Sequence, residues 1–98
     1  KLMGSFKIKD STALEIINGL YNQIGRINHA LLKYDASLSY YDKALQIATS
    51  RNQIDVIKNN MALVYRDQGN YTQAETEFLE VYNSYLTLGD TLRIARAL

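Results

Sequence analysis

The sequence predicts an all-α fold, and three observations carry that prediction. First, the 98 residues contain no proline and only five glycines, so little interrupts a helix. Second, apolar residues recur at three- and four-residue steps, as in Leu38, Tyr41, Leu45 and Ala48, or Ile57, Met61 and Val64. Those steps place the residues on one face of a helix, and strand-type alternation is not visible. Third, the chain matches itself in kind when shifted by 37 positions. Tyr34 falls on Tyr71, Ser37 on Ala74, Tyr41 on Phe78, Asn22 on Asn59, Ile24 on Met61, Gly25 on Ala62 and Ile27 on Val64.

The elements follow in order. Residues 1–10 read as an N-terminal segment outside the fold. Met3 is not the first residue, which fits either a partly foreign segment, with residues 1–5 open to that reading, or a chain excised from a longer one. Residues 11–98 form one helical domain. A first helix is predicted over 12–30, with Thr12 and Glu15 as its capping box. The second is predicted over 33–49, the third over 53–67 and the fourth over 71–87. Gly69 and Asn70 suit the left-handed conformation that ends a helix. A fifth helix is expected to start at Asp90 as N-cap. Each repeat is then two helices joined by a tight turn. Gly25 and Ala62 on one helix, with Ser37 and Ala74 on the other, permit close approach. Tyr41 and Phe78 fill the space beside that contact. Tyr34, Tyr41, Tyr65 and Tyr71 occupy repeat positions and are expected to build the core.

This pattern resembles the tetratricopeptide repeat, whose units carry an aromatic, then Leu-Gly, then Tyr, Ala and a second aromatic before a proline. The first unit, about 18–51, offers Tyr21, Ile24, Gly25, Asn28, Ser37, Tyr41 and Ala44. The second, about 55–88, offers Lys58, Met61, Ala62, Tyr65, Ala74, Phe78 and Val81, and residues 90–98 resemble the start of a further unit. The closing proline is missing from both. The spacing of 37 resembles the longer variety found in bacterial sensor kinases, peptide-responsive regulators and adaptor proteins. The resemblance implies helix pairs stacked as a right-handed superhelix, an α-solenoid, whose first helices line a concave groove.

By that resemblance the peptide-binding positions are Asn22, Arg26 and His29 in the first unit, with Asn59, Asn60, Leu63, Arg66 and Asp67 in the second. Each set lies along one helical face. Asparagines there can hold a peptide backbone and arginines a carboxylate. Some members of the family clamp a C-terminal carboxylate with Lys, Asn and Arg. Asn60 stands at one clamp position and Arg96 near another, but Asn22 and Arg26 replace the first-unit Lys and Asn. The alternatives for these residues are hydrogen bonds between helices for the asparagines and solvated charges for the arginines.

Composition narrows the function. Hydrophobic content of 47% with a net charge of +1 describes a folded domain with no electrostatic pull toward nucleic acid. No apolar run is long enough to cross a membrane, so no membrane insertion is expected. With one histidine and no cysteine, neither a metal cluster nor a nucleophile–base set can be assembled, and no catalytic residue, cofactor or metal is expected. The acids Glu75, Glu77 and Glu80 read as a solvated face. The chain is expected to be a protein- or peptide-binding module of a larger bacterial regulatory or signalling protein, cytoplasmic ahead of a periplasmic sensor setting. The alternative is a structural scaffold that self-associates through its uncapped C-terminal helix, since Leu92, Ala95 and Leu98 need a surface to pack on. An unrelated helical bundle is the competing fold.

Overall fold

The computed structural model describes the backbone of residues 11–97 and the side chains of 12–87. Within them lie four helices and no strand: α1 (Ser11–Ala30), α2 (Tyr34–Gln46), α3 (Arg51–Asp67) and α4 (Tyr71–Ala97). The fold is all-α, as predicted. Successive helices pack as neighbours, α1 also touches α3, and α4 rests on α3 alone. The described molecule is therefore thin, with extents of 50 × 43 × 16 Å.

The core forms where α2 and α3 meet. Tyr41, Ala44, Ile57, Met61 and Val64 are buried there, with Tyr21, Tyr34, Leu38, Leu45, Ala48 and Tyr65 packed around them. Each large side chain fully buried in this way contributes roughly 1.5–3 kcal/mol. Burial also raises the pKa of the Tyr41 phenol, which therefore stays neutral. Gly25 lets α1 and α2 approach, because a Cβ at that position would lie 2.6 Å from the Tyr41 ring. Beside it the Ser37 hydroxyl donates to the Gly25 carbonyl at 2.7 Å.

The turns within the two repeats, α1 to α2 and α3 to α4, have the same hydrogen bonds. Leu32 N–H donates to the His29 carbonyl and Lys33 N–H to that of Asn28; Gly69 N–H donates to Arg66 and Asn70 N–H to Tyr65. This is the pattern of a helix closed by a left-handed residue. Gly69 takes that conformation with φ +83°, as its type predicts, whereas in the first repeat Leu32 takes it with φ +63°.

Several boundaries differ from the predictions. The first helix includes Ser11, so Thr12 lies inside the first turn and cannot be the cap residue of a box with Glu15. The second stops at Gln46, three residues early, where the Asn18 side-chain amide donates to the carbonyl of Ala44 in its last turn. The third starts at Arg51 because the Ser50 hydroxyl accepts from Gln53 N–H as N-cap. The new N-cap expected at Asp90 does not form, since α4 continues through Gly89 and Asp90. A lone glycine costs only about 1 kcal/mol in a helix, and no proline stands there to end it.

Two expectations about side chains are overturned. Tyr71 does not pack into the core and is 69% exposed, because no helix covers its side of α4. Glu77 is not on a solvated face. It is buried, with the Lys58 ammonium at 3.4 Å and the Gln73 amide at 3.0 Å, while Glu80 holds Lys58 at 3.0 Å. The hydrogen bond to Glu80 is the main cause of the raised Lys58 pKa, ahead of the opposing cost of burial.

Candidate functional site

The face shared by α1 and α3 gathers most of the predicted binding residues. Helical spacing aligns Asn22, Arg26 and His29 along α1, and the shift of one repeat carries them onto Asn59, Leu63 and Arg66 of α3, with Asn60 and Asp67 each one residue further on. The helices are joined at two levels. The Asn60 side-chain amide donates to the Asn22 side-chain oxygen at 3.0 Å. One turn and more along, His29 Nε2 lies 2.7 Å from Asp67 Oδ2.

Between these links opens a cavity of about 380 Å³ lined by Arg26, His29, Asn60, Leu63 and Asp67. Five of the eight predicted residues thus share one depression. Asn22 stands behind it, holding Asn60. Asn59 is exposed and carries no side-chain hydrogen bond among the described residues. Arg66 reaches Asp67 from the side, with Nε 3.2 Å from Oδ1. The side chain of Arg96 lies outside the described residues, so the proposed carboxylate clamp has only Asn60 in view.

The electrostatics favour an anionic or carboxylate-bearing ligand. Asp67 is the one acid lining the cavity, and both of its oxygens are already engaged. The hydrogen bond from His29 is the main reason its pKa falls below the ordinary carboxylate value, with Arg66 adding to the effect. It therefore stays ionised at neutral pH, its charge facing His29 and Arg66. Arg26 is exposed and donates through one nitrogen to Gln23 at 3.1 Å, which leaves the other guanidinium donors of the fork open. The rest of the lining is the Asn60 amide, the Tyr41 ring and the apolar Ala30, Leu63 and exposed Leu32. Such a mixture suits an extended peptide, with amides for its backbone and cations for its acids.

Prediction from sequence did not identify Leu32, Ala30 and Tyr41 as lining residues. Ala30 ends α1 and Leu32 belongs to the turn, where the family pattern carries no binding position. A different signal was available for Leu32, since it occupies the position of Gly69 in the repeat. A second, larger cavity of about 560 Å³ lies at the start of α3 against α4, around Arg51, Asp55, Glu80 and Ser84. Its buried acid is satisfied internally: Asp55 accepts from Ser84 at 2.7 Å and from Arg51 at 3.1 Å. The amides of Asn52 and Asn83, which also line it, are exposed and carry no side-chain hydrogen bond among the described residues. Among the described residues no group of His, Asp and Glu could hold a metal ion, and no helix is long and apolar enough to cross a membrane.

The helix pairs, their common turn and their 37-residue register define a helical repeat protein. Family models described as tetratricopeptide repeat match residues 19–50 and 56–88, which together make up most of the chain. The chain belongs to the tetratricopeptide repeat family. No curated protein and no solved structure matches it. Tetratricopeptide repeats generally mediate protein–protein interaction and are typically non-catalytic.

Proposed function

We propose that the chain is a peptide-binding module that works through the face shared by α1 and α3, within a larger regulatory or signalling protein. The observation that carries this is the convergence of Arg26, His29, Asn60, Leu63 and Asp67, from two helices in different repeats, on one open depression. Units at about 18–51 and 55–88 supply one wall each. The ligand is an extended segment bearing at least one carboxylate, set against Arg26 and Arg66, with Asn59 and Asn60 on its backbone. The long repeat spacing favours a bacterial regulatory context, and the general role of tetratricopeptide repeats in protein–protein interaction supports a binding role.

Selection from a library of displayed random peptides tests this. Acidic sequences should be enriched on the wild-type protein. Their affinity should fall at least tenfold on Arg26→Ala/Asn59→Ala/Arg66→Ala, equivalent to about 1.4 kcal/mol or more. All three residues are exposed, so the variant should keep its helicity. Equal binding by both proteins would remove the groove as the working surface.

A further inference from the structure

Both ends of the repeat pair expose the two complementary halves of a contact that the chain buries in its middle. At the junction of the repeats, Tyr34, Tyr41 and Leu45 of α2 and Ala48 just past its end join the cluster, and α3 contributes Ile57 and Val64. One repeat further on, the α2 positions become Tyr71, Phe78, Tyr82 and Tyr85 of α4. Of these, Tyr82 is 58% exposed and Tyr85 55%. One repeat back, Ile57 and Val64 become Leu20 and Ile27 of α1, which are 56% and 58% exposed, whereas the originals are 1% and 0% exposed. The same shift extends the polar link. The Asn22–Asn60 amide pair maps onto Asn59 of one copy and Gln23 of another, both exposed amides.

From this we infer that the protein associates head to tail with itself, the α1 face of one copy covering the α4 face of the next. The contact repeats the α2–α3 junction between chains. A second copy fits because each end carries what the other lacks: aliphatic side chains on α1, aromatic side chains on α4, and one amide at each side of the seam. The contact is heterologous, so it adds copies in one direction and closes only as a ring. It leaves the cavity between α1 and α3 of each copy uncovered and shares Asn59 with the proposed peptide site.

The test is sedimentation of the full chain across a concentration series, with two double variants. Leu20→Glu/Ile27→Glu blocks the head, and Tyr82→Glu/Tyr85→Glu blocks the tail. All four residues are exposed, and circular dichroism would confirm that each variant keeps its helicity. Wild type should grow beyond a dimer as concentration rises. Each variant alone should remain a monomer, and an equimolar mixture should form a one-to-one pair that grows no further. A wild type that stays monomeric throughout would overturn the inference. So would a head-blocked variant that still dimerises, which would indicate an α4–α4 contact, a tail-blocked variant that still dimerises, or a mixture that fails to pair.

Discussion

The two repeats reach the same backbone plan by different chemistry. At the join of first and second helices, the first repeat stacks Tyr21 on Tyr40, ring centroids 6.3 Å apart, with the Lys43 ammonium 5.5 Å from the Tyr40 ring. The second repeat places Lys58, Glu77 and Glu80 at the same three positions and holds them by charge. At the turn, the second repeat has Gly69 in the left-handed conformation and Asn70, whose side chain accepts from Gln73 N–H at 3.4 Å. The first has Leu32 and Lys33, with no side-chain cap. Further along, Asn18 donates to a carbonyl where α2 ends, whereas Asp55, its counterpart, accepts from Ser84 on a helix that continues. The comparison separates what the architecture requires, which is size, polarity and satisfied hydrogen bonds, from the residue types that meet the requirement.

Breaking the ion cluster should have the largest effect. Lys58→Ala leaves the buried Glu77 carboxylate with only the Gln73 amide, and should cost about 2–3 kcal/mol in urea unfolding. Grafting the first repeat's set, Lys58→Tyr/Glu77→Tyr/Glu80→Lys, should recover most of that loss if the two solutions are interchangeable. Next in size is Gly25→Ala. A methyl group in a helix ordinarily helps by about 1 kcal/mol. Here it would meet the fully buried ring of Tyr41, and overpacking of about 1–3 kcal/mol outweighs the gain. The melting temperature should fall, while Gly19→Ala, with open space around it, should raise it. The smallest effect has the opposite sign. Leu32→Gly/Lys33→Asn gives the first turn the chemistry of the second and should stabilise the protein by about 1 kcal/mol.

Much of this was legible in the sequence, and the misses have physical causes. The repeat register, the close approach at Gly25 and the left-handed Gly69 follow from residue size and backbone freedom, which are local properties. The length of α4 was not legible, because Gly89 followed by Asp90 resembles a helix end and the cost of continuing through one glycine is small. Burial of Glu77 depends on Lys58, 19 residues away, so its own segment reads as a solvated face. Exposure of Tyr71 depends on which helix lies beyond it, and position in the repeat does not report that. For the candidate site, the family pattern named residues of which five line one cavity between α1 and α3. It could not distinguish Asn60, held by Asn22, from the open Asn59, because that difference arises from geometry between helices.

The most direct measurement is amide chemical-shift mapping of the protein, titrated with the strongest acidic peptide from the library selection. The account predicts shifts clustered at Asn22, Arg26, His29, Asn59, Asn60 and Leu63, with little change along Leu79, Tyr82 and Tyr85. Shifts centred on those α4 residues, with the α1–α3 face unmoved, would contradict it.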